Sequence, residues 1–194
     1  LISKARTEGG FVWLGLAEPT QMEFDKIVGD FRFHPLAIED AVNAKQRPKF
    51  EEYPGVQFCV LKTVFYDEEK SLVSTGEIFC FIGEYFIVVV RHGDGAPLKN
   101  TRQILENNPE HLAKGPYAVL HAVIDHVIDC YIDIAAELEA DVVQVENDVF
   151  NERKKTNSAA IYFLKREIIE FRHAIDPEKM SIVIAGDATK KSAK

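Results

Sequence analysis

The run His34-Pro-Leu-Ala-Ile-Glu-Asp-Ala-Val-Asn-Ala-Lys-Gln-Arg-Pro-Lys-Phe-Glu-Glu-Tyr53 decides how the chain is read. Pro35 suits the first turn of a helix, where its missing N–H is not needed, and this puts His34 at the cap. Leu36, Ala37, Ala41 and Val42 give that helix a packing face, while Glu39 and Asp40 set two adjacent acids in its interior. Pro48 pushes the residue before it toward extended geometry, so the helix has to end by Arg47. Residues 49–53 then lead into a strand. The run reads as a short acidic helix, a basic turn and a strand entry.

Upstream, residues 11–16 form a short apolar strand, and Thr20 with Glu23 spells a capping box that opens a helix to about Phe31. Downstream, 56–66 has two apolar faces, with Cys59, Leu61, Thr63 and Phe65 on one and Phe58, Val60 and Val64 on the other. Such a strand belongs inside a sheet. A polar turn at 67–70 precedes strands at 72–82 and 85–91, joined through Gly83-Glu84 as a type II′ hairpin. The three strands make an antiparallel meander. Residues 92–97 break it, and the Gly93-x-Gly95 pair is too short for a phosphate loop. A helix over 98–108 stops at Asn107-Asn108-Pro109.

After Pro116 the pattern changes. Residues 116–151 hold no glycine and no further proline, and Leu120, Val123, Ile124, Val127, Ile128, Tyr131, Ile134, Leu138, Val142, Val145 and Val149 recur at helical steps. Such a helix runs roughly 54 Å, against a radius of gyration of about 16 Å for a compact chain of this size. It has to span the body or project from it. A polar break at 151–157 precedes a second helix over 158–175, with Ile161, Leu164, Ile168 and Phe171 inward, and the two should pair as an antiparallel hairpin. The expected fold is therefore α+β. A mixed or antiparallel sheet sandwiched by helices in α/β/α layers fills 1–115, the long hairpin fills 116–177, and 178–194 is a disordered or foreign tail.

The chain has 194 residues, 46% of them hydrophobic and 10% aromatic, which excludes disorder, and its formal charge is −8. That charge argues against a nucleic-acid surface, which needs a basic stripe. Cys59, Cys80 and Cys130 are an odd, widely spaced set in apolar surroundings, read as buried free thiols rather than a zinc site. No segment reaches the roughly 20 apolar residues of a membrane span, and no signal peptide opens the chain. As written it reads as soluble and intracellular.

The chemistry lies in the acids. Asp125, Asp129, Asp133, Glu137 and Asp141 stand four apart in a segment without lysine or arginine, and like charges at that spacing cost a helix about 0.2–0.5 kcal/mol per pair. Solvation and basic residues of the second helix (Lys154, Lys155, Lys165, Arg166, Arg172) can offset this, or a divalent cation can, Asp125 being the first candidate ligand. Glu39 and Asp40 pose the same choice between a solvated face and a metal site. Adjacent side chains diverge by about 100° on a helix, so the two do not readily chelate one ion. His34 reads as a cap, His121 and His126 flank Asp125 (His121, four residues before it, can share its face) but read as structural histidines, and His92, His111 and His173 lack an acid or cysteine partner at ligand spacing. No nucleophile, base and orienting acid can be assembled, so no enzyme is expected.

The string His34-Pro35-Leu36-Ala37-Ile38-Glu39-Asp40, with Gln46-Arg47-Pro48-Lys49 and Tyr53 behind it, resembles the cytoplasmic domain of CorA-type magnesium transporters. Residues 13–15 and 117–131 fall where that family has comparable segments. The resemblance implies an α/β/α domain carrying such a hairpin at the cytoplasmic face of the membrane, and Mg²⁺ sensing for a magnesium and cobalt transporter. It makes Glu39, Asp40 and Asp125 members of regulatory metal sites between subunits of a homopentamer. Mg²⁺ is the implied ion, bound weakly by this stretch alone, with Co²⁺ or Ca²⁺ as alternatives. The family's remaining ligands, an aspartate and a histidine, sit on a stalk helix that this chain does not reach, as do its membrane spans and Gly-Met-Asn pore motif. The residues do not separate this reading from a related zinc transporter. An acidic soluble module that binds a basic partner is the alternative from another class.

Overall fold

The computed structural model describes residues 1–29, 31–67, 70, 72–93, 95–150 and 158–175. The chain opens with helix α1 (Ile2–Thr7), strand β1 (Val12–Ala17), and helices α2 (Gln21–Val28) and α3 (Pro35–Asn43). Strands β2 (Lys49–Tyr53), β3 (Val56–Asp67), β4 (Leu72–Gly83) and β5 (Phe86–His92) follow, then helices α4 (Lys99–Glu106) and α5 (Pro109–Leu112). The long helices α6 (Pro116–Phe150) and α7 (Ser158–Ile175) complete it. The five strands lie in the order β1-β5-β4-β3-β2. β3, β4 and β5 form the expected antiparallel meander, while β1 runs parallel to β5, so the sheet is mixed.

Local signals act where the sequence places them. Thr20 and Glu23 form both halves of the capping box at the start of α2, which ends at Val28, earlier than expected. His34 caps α3, its Nδ1 accepting from the Leu36 N–H at 3.3 Å, with Pro35 in the first turn. α3 stops at Asn43 because Ala44 (φ 53°) and Lys45 (φ 61°) turn left-handed. α5 is one extra turn, started by Pro109 with Asn108 as its cap.

The sheet separates two cores of different character. One face packs Phe58, Phe79, Phe81 and Phe86 against Phe24, Phe31, Phe33, Ala37 and Ala41 from α2, α3 and the link between them. Phe33 stacks on Phe81 at 4.2 Å between ring centroids. The other face packs Cys59, Leu61, Ile78, Cys80, Ile82, Ile87 and Val89 against Val119, Val123, Val127, Tyr131, Ile134 and Leu138 of α6. α4 and α7 join this side through Leu105, Phe171 and Ala174. The layering is α/β/α.

Two strand details depart from expectation. Val64, expected beside Phe58 and Val60, joins the helix-side core instead, and Phe65 is exposed. β5 ends with His92 opposite Glu77, so beyond that point β3 and β4 continue as a two-stranded ribbon. At the β4–β5 turn the loop residues are Glu84 and Tyr85, since Gly83 pairs with Phe86, and Gly83 is not among the residues at positive φ. The type II′ expectation is thus corrected. Glycine is required there because any Cβ would overlap the Phe86 ring.

The helical pair has the expected bounds but not all of the expected burial. α6 is buried through Leu138, yet Val142 and Val149 stand exposed, as do Ile161 and Ile168 of α7. The inward residues of α7 are Leu164, Glu167, Phe171 and Ala174. The sheet ends before the helices do, so the outer part of each apolar stripe has nothing from the sheet to cover it. The turn at 151–157, with Lys154 and Lys155, and the tail at 178–194 lie outside the described residues. Among the described residues, no helix is long and apolar enough to cross a membrane.

Candidate functional site: the acidic helix and its staple

The opening run folds back on itself. The Lys49 ammonium, at the start of β2, lies 2.7 Å from an Asp40 carboxylate oxygen on α3 and 3.1 Å from Glu51. The Tyr53 hydroxyl donates to Glu51 at 2.8 Å, and the His34 ring stacks on Tyr53 with centroids 4.5 Å apart. Lys49 also sits over the Phe58 ring at 5.6 Å, a cation–π contact. Cap, acid, base and aromatic of one motif thus close a staple between the helix and the strand after it.

Electrostatics follow the geometry. Burial pulls Lys49 down, but its hydrogen bonds and charge contacts with Asp40 and Glu51 outweigh this and leave its pKa raised. Burial pushes Glu51 up, and hydrogen bonds from Tyr53 and Lys49 reverse that, so its carboxyl lies below the usual range. Tyr53 is raised, first by burial and then by its bond to Glu51. Lys49 and Glu51 therefore carry their charges at neutral pH, and the ammonium lies between the Glu51 and Asp40 side chains.

The three candidate ligands do not meet within one chain. Glu39 is exposed on α3, and Asp40 is half-buried and engaged by Lys49. Asp125 is exposed on α6, across the sheet from α3. Among the described residues, no group of three or more His, Cys, Asp or Glu could hold a metal ion. Mg²⁺ takes near-octahedral oxygen coordination and keeps several of its waters, and among the described residues these three carboxylates stand apart rather than in one cluster. Farther along the acidic ladder, Asp141 accepts a hydrogen bond from the Tyr66 hydroxyl, a protein partner that periodicity could not name.

Sequence reasoning also missed two polar groups. Glu167 is buried between α7 and β4, accepting from the Val73 N–H at 2.5 Å. Its neighbours in sequence mark a surface helix, and only its i+4 step to Phe171 hinted at burial. The other is His92, which bonds Glu18 and the Ala41 carbonyl. No local spacing connects those residues.

The CorA-like Mg2+ transporter protein model matches residues 8–193, and the chain belongs to that family. It is 27% identical over 165 residues to the putative metal ion transporter YfjQ of Bacillus subtilis, covering 85% of this chain and 50% of that protein. It is 24% identical over 168 residues to the cobalt/magnesium transport protein CorA of Thermotoga maritima, covering 85% and 48%. The chain thus spans about half the length of these curated relatives. The soluble domain of CorA from Methanocaldococcus jannaschii has the same fold, with a TM-score of 0.70 at 13% identity over 84% of this chain and 65% of that one. The ZntB cytoplasmic domain from Vibrio parahaemolyticus gives 0.65 at 15% identity over 93% and 70%.

Proposed function

We propose that this chain is the cation-sensing portion of a CorA-like divalent-cation transporter, and that Glu39, Asp40 and Asp125 serve contacts between copies of it. The observation that supports this most directly is their placement. α3 and α6 hold these carboxylates on opposite layers, so an ion that uses both must bridge two subunits. Unneutralised acids on facing copies repel, and a divalent cation between them favours close packing by the difference in its affinity for the packed and splayed states. Sensing of this kind would couple intracellular Mg²⁺ to pore closure in a pentamer. The chain alone should bind Mg²⁺ only at millimolar levels or more weakly, since Asp40 already holds Lys49 and two exposed carboxylates are a small ligand set.

Limited proteolysis of the longer protein, with and without Mg²⁺, tests the reading. Mg²⁺-dependent protection is expected, and Asp125→Lys, at the exposed carboxylate of α6, should reproduce part of it. Unchanged cleavage patterns overturn it. Micromolar Mg²⁺ binding by the monomeric chain would show a complete intrachain site and overturn the intersubunit arrangement.

A further inference from the structure

The C-terminal end of α3 is served from outside the helix. Its last turn carries no basic residue, although the final carbonyls of any helix lack intrahelical partners and the dipole there favours a cation. His92, the last residue of β5, reaches into this gap. Its Nε2 lies 2.7 Å from the Ala41 carbonyl oxygen, and its Nδ1 lies 3.1 Å from a Glu18 carboxylate oxygen in the turn between β1 and α2.

Both partners can only accept. A neutral imidazole offers one N–H and one lone pair, so it satisfies one partner and sets its lone pair against the other, whereas an imidazolium donates to both. Glu18 is fixed to receive that bond. It holds a left-handed φ of 48°, and its second oxygen accepts from the Gly93 N–H at 2.6 Å. That backbone bond, partly opposed by burial, keeps its carboxyl below the usual range. Other groups flank the ring. Glu77 lies directly across on β4, where one of its oxygens pairs with Lys62 and the other is buried without a hydrogen-bond partner. The Phe79 ring meets the imidazole edge to face at 5.9 Å. Arg91 donates to the Gly93 carbonyl. On α3, Asp40 is engaged by Lys49 and Glu39 is exposed.

We propose that His92 is a proton-operated latch, which when doubly protonated ties the last turn of α3 to the turn between β1 and α2. Loss of one proton leaves a single N–H. The carboxylate is the stronger acceptor, so that N–H goes to Glu18 and the Ala41 tie opens. The helix that carries Glu39 and Asp40 is then held at its staple but free at its end. The latch needs no metal and does not rest on the sensing role.

Nitrogen-15 NMR of the histidine-labelled chain between about pH 5 and pH 9 tests it, because histidine is the side chain that titrates in that window. His92 should show two ring N–H groups at the acidic end and one at the basic end. Amide exchange at Ala44, which closes α3 on the Asp40 carbonyl, should accelerate at the same pH beyond the intrinsic base catalysis. His92→Gln retains one donor without a charge and should abolish the step. If that variant does not fold, Glu18→Gln, at the exposed rim, should move the step to lower pH. A single ring N–H throughout, a step that survives His92→Gln, or no displacement in Glu18→Gln would each overturn the latch.

Discussion

Glu167→Ala should loosen α7 from the sheet, and its size can be worked from the contacts. The Glu167 side chain is about 3% exposed and accepts the Val73 N–H at 2.5 Å. That N–H lies on the part of β4 that β5 does not reach, so no strand is available to take over the bond. Removing a charge-assisted acceptor forfeits about 1.5–3 kcal/mol, and an orphaned buried N–H costs about 1–3 kcal/mol. Relief of the carboxylate's own desolvation acts the other way. The balance is a loss of about 2–3 kcal/mol, or roughly 4–12 °C in Tm for a chain of this size. Glu167→Gln keeps an oxygen in the same place and should lose about 1 kcal/mol or less. Urea unfolding gives the stabilities, and amide exchange at Val73 reports the site. Equal midpoints for the alanine and glutamine variants, or a Val73 amide no faster in Glu167→Ala than in the parent, would refute the argument.

Three more outcomes follow from the same structure. Leu138→Asp should cost about 3 kcal/mol or more by placing a charge in an apolar seam, whereas Val142→Asp one turn further on should be nearly neutral because Val142 is 40% exposed; thermal melts of both variants check this. A bulky maleimide in native buffer should label half-buried Cys130 first and reach buried Cys59 and Cys80 only on unfolding, burial having pushed the Cys80 thiol up to about 12. Acid should open the staple at β2: the folded pKa of Glu51 is depressed, so its contribution is present above the ordinary value of 4.5 and disappears as pH falls through the lower folded value. The Tyr53 ring signals followed by NMR during acidification should shift in that lower window, and a shift confined to the region above 4.5 would contradict the assignment.

What the sequence reveals and what it hides divide along one physical line. The His34 cap, the Thr20–Glu23 box, the meander and the limits of α7 are local, settled within a few residues by backbone chemistry, and they could be read directly. The inward side of α7 could not. Ile161 and Ile168 repeat at helical spacing like any core stripe, but Ile161 precedes the part of α7 buried against the sheet and Ile168, beside buried Glu167, lies on the neighbouring face, neither of which periodicity reveals. The motif residues were recognisable as a set, yet the pairing of Asp40 with Lys49, nine residues on, exists only because the chain turns left-handed at Ala44 and Lys45 and comes back as β2. Glu167 and His92 lie further out of reach, since their partners are 94 residues away in one case and 74 and 51 in the other.

The unequal support along α6 gives it the mechanics of a cantilever. Its root, through Leu138, is clamped on the sheet. Tyr66 of β3 still holds Asp141, and the nine residues from there to Phe150 form an overhang of about 13 Å at 1.5 Å per residue. A rotation of about 10° at the clamp displaces the tip by roughly 2 Å, most of the length of a hydrogen bond. A change in core packing too small to disturb a strand is thus magnified at the outer end, which carries the exposed apolar residues Val143, Val149 and Phe150.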